Sequence, residues 1–588
     1  MESLLVRMCI EAATESAVAV DKWRRQRRTL ERMPSHLAEA LLYHLLRRRL
    51  LFPSLLEVFK HSVEEINLRG ESFVDAEWMA YLGAFRYLHS IILADCHKIN
   101  NSALWNITGM PNLKEMDISR CSKITDAGVR HLLSLPALEK LWISETGVTA
   151  DGVMVLASMT NLLLLDLGGL PVTDSALNSL QALTKLQHLD LWGSEVSNES
   201  GILLKLFPNL SFLNLAWTNV TMLPNLPSLT CLNMSNCTID SLSDGEDHKP
   251  RLEKVIMSGA TISNILEAFQ FVETSRLCFL DISNSSLQSY SILSSMNAMS
   301  DLNLSGSALF DNSVEHIVCI GESLKHLNLN NTKVSSEGIG ALAGHVPNLE
   351  TLLLSGTPID DTAVSYISMM PMLKIINLSR TNVKGWIQQV HGASDEVPSF
   401  SALESLSHLE SLNLEELHIK DAALSPLMNM NRLSYLSLRS VSLTDASLYH
   451  ISSAAKLIHL GVRDAVVTDT GLDAFTPHTA LEILDLRGCW LLTKDALLRF
   501  CQKHPQLEVT HEFVEALDKR NFQYSSPSRV TTRTPKGKNK QGKLSMSPLR
   551  SDQIFLDQRL KYNREELLGL QFSSTVVPTS SHQGNSIP

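Results

Sequence analysis

The sequence predicts an α/β solenoid, a stack of short parallel strands each returned by a helix. Three observations carry this expectation. The pattern L-x-x-L-x-L recurs about eighteen times, mostly 24 or 25 residues apart. The apolar content is aliphatic: 44% of the chain is hydrophobic and only 6% aromatic. A small side chain and a Thr-Asp pair recur in phase with the leucines. At roughly 150 residues per domain, 588 residues would otherwise read as about four globular domains.

Regular copies include Leu138-Leu141-Ile143, Leu162-Leu165-Leu167, Leu186-Leu189-Leu191, Leu324-Leu327-Leu329 and Leu481-Leu484-Leu486. Degenerate ones, such as Val63-Ile66-Leu68 and Leu277-Leu280-Ile282, fill the gaps. Alternating aliphatics point a strand inward, yet no copy can bury its leucines alone. Three buried aliphatics contribute about 5–8 kcal/mol per copy before entropy, so stability must come from stacked neighbours. Eight residues after the first leucine stands a small side chain: Cys96, Cys121, Cys237 and Cys489, or Thr146, Thr218, Thr332, Thr357 and Thr381. These read as packing positions where the chain turns inward. Next comes a helix start, as in Ile124-Thr125-Asp126-Ala127-Gly128-Val129 and Val467-Thr468-Asp469-Thr470-Gly471-Leu472. There a hydroxyl satisfies orphan amides and a carboxylate favours the positive end of the helix dipole.

With Cys or Thr at that position and T-D-x-G-L after it, the repeat resembles the cysteine-containing leucine-rich repeats of ubiquitin-ligase substrate receptors, over roughly residues 60–510. The resemblance implies a leucine-rich-repeat solenoid, or horseshoe. The expected organisation is a helical segment at 1–60, a solenoid at 61–510 and a basic, mostly disordered tail at 511–588, with a short helix at 552–570. Two irregularities stand out. Pro224 and Pro227 make a helix unfavourable in the short step from Leu210 to Leu229. The long step from Leu373 to Leu409 implies an insertion near 384–408, bulging as a loop that closes over the strand face.

Residues 1–60 read as helices, with Leu5, Cys9 and Ala13 at i, i+4 spacing and a second start at Pro34-Ser35. One reading is a cap shielding the first repeat. The other rests on resemblance. Leu5, Cys9 and Ala13 resemble the stripe of a VHL box, which implies elongin C as adaptor. Met33, Pro34, Leu37 and Leu41 are similar both to a cullin-2 type box and to the start of an F-box, which implies a Skp-type adaptor. Boxes followed by these repeats resemble the Zyg-eleven type of cullin substrate receptor. In the tail, Lys519 to Arg550 carries nine basic residues and no acidic one, with Ser526-Pro527, Thr534-Pro535 and Ser547-Pro548 as candidate phosphorylation sites. The G-x-x-x-x-G-K string at Gly537–Lys543 is followed by Leu544 where Ser or Thr would meet magnesium, and reads as chance.

On the strand face, the residue between the second and third leucine is Asp or Asn in twelve copies, from Asn67 to Asp485. This is either a polar groove for a peptide or a ladder of hydrogen bonds between neighbouring strands. Trp142, Trp192 and Trp217 are candidate target-binding anchors forming an apolar pocket beside Asp190. Arg439, Arg463 and Arg487 occupy one position in three successive copies, about 5 Å apart. Either Glu415, Asp464 and Asp485 neutralise them, or the stripe accepts an acidic or phosphorylated peptide.

Nine cysteines without CxxC pairs argue for reduced thiols rather than disulfides or structural zinc. Charges break the first twenty residues, and no apolar run reaches the ~18 residues of a membrane span. A net charge of −11, spread along the chain, does not favour nucleic acid as partner. No G-x-S-x-G or H-E-x-x-H is present. The expectation is therefore a non-enzymatic, cytoplasmic or nuclear subunit without cofactor. It joins an adaptor and a cullin to a target protein, with a ligase-independent scaffold as the alternative.

Overall fold

The computed structural model describes residues 4–25, 33–245, 249–388, 396–514 and 561–572. The chain divides into two compact units, Met1–Ile292 and Leu293–Pro588. The basic run, the three Ser/Thr-Pro sites and the G-x-x-x-x-G-K string lie outside the described residues.

In the first unit ten strands, from Glu65–Asn67 to Phe279–Asp281, pair in parallel with each neighbour in sequence order. Corresponding positions face one another, so Ile66 lies opposite Ile91 and Leu189 opposite Leu213. In the second unit nine strands, from Asp301–Asn303 to Glu508–Thr510, do the same. The nineteen strands extend the α/β leucine-rich-repeat solenoid slightly past the expected count. The second leucine of each motif is interred: Leu141, Leu189 and Leu352 are fully buried and Leu327 is 1% exposed.

Not every repeat returns through a helix. The step containing Pro224 and Pro227 has none, as the prolines require. The two repeats that follow depart from expectation: Thr238–Ile239 pairs in parallel with Thr261–Ile262 on the return side. The β-branched Thr-Ile pairs suit a strand, and in the second of these repeats a one-turn helix, Ile265–Ala268, follows the strand.

The small position divides into two devices. Each of the four cysteines donates its thiol to a carbonyl of the preceding repeat, Cys96 to Leu68, Cys121 to Leu93, Cys237 to Leu215 and Cys489 to Val462, at 3.1–3.3 Å. The threonines instead close their own turn, as Thr332 does on Leu329 at 2.8 Å. Burial pushes the Cys121 thiol up to about 12 and that of Cys489 to about 11, which keeps them protonated spacers.

The Thr-Asp pair does more than start helices. Asp126, Asp421, Asp445 and Asp469 each take the backbone N–H and the hydroxyl of the threonine that caps the next repeat's helix. For Asp445 and Thr468 these bonds are 2.7 and 2.6 Å; for Asp126 and Thr149 both are 2.8 Å. Asp174 and Asp311 clasp Ser197 and Ser335 in the same way. A glycine three residues after the capping Thr or Ser follows from this clasp. A β-carbon at Gly152, Gly338 or Gly471 would overlap the Oδ1 of Asp126, Asp311 or Asp445.

Among the described residues, the α-helices before the first repeat are α1 (Leu4–Ala13), α2 (Ala17–Arg24) and α3 (Ser35–Arg47). α3 buries Ala38, Leu41, Leu42 and Leu45, and its Glu39 accepts the backbone N–H groups of Glu64 and Glu65 at 3.1 and 3.2 Å. It therefore closes the open edge of the first strand. The end of α1 is tied down by Trp23, whose indole N–H reaches the Ala13 carbonyl at 2.9 Å, and by Arg48, which reaches that of Thr14 at 3.0 Å.

The insertion forms a hairpin in which Trp386–Gln388 runs antiparallel to Glu396–Pro398. Asp361, on the return helix Asp361–Ile367, accepts from the N–H groups of Lys384 and Gly385 and from the Ser399 hydroxyl at 2.6–2.9 Å. The hairpin is thus rooted in the helix layer, not at the strand face it was expected to close over. Its residues 389–395 lie outside the described set. The tail helix spans Arg564–Phe572, later than expected, with Leu567 and Leu570 buried.

Candidate functional site

The Asp and Asn residues of the strand face serve the fold. In all twelve copies Oδ1 accepts the backbone N–H two residues on, from Asn67 with Arg69 (3.0 Å) to Asp485 with Arg487 (3.1 Å). Each ends its own strand in an Asx turn. The expected ladder between strands is seen between Asn214 and Asp190, at 2.9 Å.

Around Asp190 the tryptophans separate. Trp192 is only 5% exposed and lies along Gly168 and Gly169 of the preceding repeat, where a β-carbon at Gly168 would overlap its indole nitrogen. This corrects the reading of Trp192 as an exposed anchor: two glycines make a slot for it. Asp190 is also buried, accepting from the Trp192 N–H and from Asn214. Trp142 is half-buried, in register with Asp117 and Asp166. Trp217 is 45% exposed, held in the left-handed region at φ 59°. Trp217 is therefore the most exposed indole of this group. Sequence reasoning missed two aromatic pairs on the strands. His188 stacks on Phe212 with centroids 4.0 Å apart, and in the second unit Tyr435 stacks on His459 at 4.4 Å. Their signal was the shared position just before the second leucine in consecutive copies.

The arginine stripe lies within the second unit and is internally compensated. Arg463 pairs with Glu415 at 3.3 Å and Asp485 at 2.8 Å, and Arg487 pairs with Asp485 at 2.6 Å. Arg439 pairs with Asp464 and, at 3.0 Å, with Glu416, which also holds Arg380 at 2.8 Å. Burial works to raise the Asp485 carboxyl, yet hydrogen bonds from Arg487 and Arg463 hold it well below the usual range. The Arg380 hydrogen bond likewise holds Glu416 low. Four guanidiniums meet four carboxylates, so an acidic peptide would compete with partners already in place. Arg380 and Glu416 were not anticipated; both sit in left-handed turns just past their strands.

At the amino-terminal end, Leu5 (71% exposed), Met8 (58%) and Cys9 share an outer face of α1, while Ala13 is half-buried where the helix meets its neighbours. On α3 the outcome is opposite. Pro34 is exposed and Met33 and Leu37 are half-buried, but Leu41 is 5% exposed. Leu41 is thus a core residue of the cap and not a docking contact, because the helix turns that face onto the first repeat.

Among the described residues no group of three His, Cys, Asp or Glu is placed to hold a metal, and no helix is long and apolar enough to cross a membrane. A family model described as Leucine Rich repeat matches residues 322–343, the copy holding the strand His326–Asn328 and its return helix Ser336–Leu342. No curated protein matches the chain. Among solved structures the chain is similar to a leucine-rich-repeat protein of Leptospira interrogans, at 16% identity and a TM-score of 0.37, covering 78% of this chain and 92% of that one. It is also similar to the functional domain of InlJ from Listeria monocytogenes, described as including a cysteine ladder. There the identity is 17% and the TM-score 0.40, covering 66% of this chain and 75% of that one.

Proposed function

We propose that this chain of leucine-rich repeats is a non-catalytic protein-binding subunit of a cullin-RING ubiquitin ligase, with α1 as the adaptor contact and the strand face holding a target. The observation that carries the reading is the outward face of α1. Leu5 and Cys9 stand four residues apart in a free apolar strip, while the far end of the helix is pinned by Trp23 and Arg48. An apolar helical face of this kind is an anchor for a groove in a partner. Because Leu41 belongs to the cap core, an elongin C-type adaptor suits this surface better than a Skp-type one.

Affinity purification from cells tests the reading. The full chain should recover elongin C with a cullin, and Leu5→Asp with Cys9→Asp should release both. Recovery of neither by the unaltered, folded protein argues against it. The alternative is a ligase-independent scaffold, favoured by the closure of the first strand by Glu39. On that reading the purification yields a target but no cullin, and removing residues 1–58 exposes the first repeat and aggregates the protein.

A further inference from the structure

The first repeats carry a second feature, at the turns that lead into the strands. Two residues before the first leucine of the motif, seven copies place proline: Pro111, Pro136, Pro208, Pro227, Pro250, Pro347 and Pro371. The first two copies place His61 and Arg86 there, and Arg86 is the only arginine or lysine at that position in any copy. Lys60 precedes His61 directly. These turns border a cavity of about 780 Å³, lined also by Phe85, Tyr87 and Asn112, with no carboxylate in its wall. Phe85 is buried beneath it, and Tyr87 is 53% exposed at its rim. The backbone of the wall is braced: Arg86 N–H meets the Lys60 carbonyl at 3.4 Å, and the Asn112 amide meets the Arg86 carbonyl at 2.8 Å. Among the described residues neither Lys60 nor Arg86 forms an ion pair. This is the reverse of the compensated stripe at Arg439–Arg487, where every guanidinium meets a carboxylate.

We propose that this cavity binds a phosphate ester, with its dianionic oxygens on Arg86 and Lys60 and its organic part against Tyr87. A guanidinium and an ammonium with no ion pair among the described residues suit a phosphoryl group, and the volume exceeds what a bare ion needs. The ester belongs either to a small molecule or to a phosphorylated side chain.

Calorimetric titration of the full chain tests this with two probes, phenyl phosphate and a short phosphoserine peptide. Saturable binding of either supports the proposal, and the probe that binds more tightly identifies the source. Lys60→Glu with Arg86→Glu should weaken that binding by more than about tenfold while leaving the thermal melt unchanged, since Arg86 is exposed and Lys60 only half-buried. No saturation by either probe up to about 10 mM, or unaltered binding by the double variant, overturns it.

Discussion

Gly471 and Gly569 are both helical glycines, and their surroundings make opposite predictions. A β-carbon at Gly471 would overlap Asp445 Oδ1, whereas nothing lies near one at Gly569. Gly471→Ala should therefore open the Asp445–Thr468 clasp and cost about 1–3 kcal/mol in urea unfolding. Gly569→Ala should be neutral or stabilising by up to about 1 kcal/mol. The clasps also carry a pH dependence. The Thr493 backbone N–H holds the Asp469 carboxyl below its ordinary value. The unfolded chain then binds the proton more readily, so this contribution is present above about pH 4 and lost as pH falls through the lower folded value. Asp469→Asn should flatten that part of the acid-unfolding curve. The Thr-Asp signal was legible in the sequence as a helix start. Its second partner lies one repeat away, so the clasp emerged only once neighbouring copies were in register.

At the level of elements, the alternation of leucines was enough to place the strands, because burial of one face admits a single register. The sides of individual residues were less legible. Trp192 looked like an anchor because its position faces away from the leucines. The Gly168-Gly169 slot that covers it belongs to the preceding copy and is invisible within its own. Likewise α1 and α3 share an apolar periodicity, yet only α3 turns it onto the repeats. Leu5→Asp should consequently change stability by less than about 0.5 kcal/mol, and Leu41→Asp should melt the cap, with both read by thermal unfolding. Arg463→Glu removes both ion pairs of that side chain and leaves the buried Asp485 with Arg487 alone. It should cost about 1–3 kcal/mol in chemical unfolding. Because Trp192 and Arg463 are structural, Trp217→Ala is the cleaner probe of target binding at the strand face, and it should weaken capture without shifting the melt.

Within each unit, repeats lean on their neighbours through leucines and, in several copies, thiol-to-carbonyl bonds and aspartate clasps, so stability is shared along the stack. Such a scaffold acts by holding. The central claim is that the amino-terminal helices hold an adaptor through the free face of α1. Its most direct measurement is size-exclusion chromatography of the purified full chain mixed with purified elongin B–elongin C. The account predicts co-elution with the unaltered chain and separate elution with Leu5→Asp plus Cys9→Asp, whose own melt is unchanged. Separate elution of the unaltered chain, or co-elution that survives both substitutions, would contradict it.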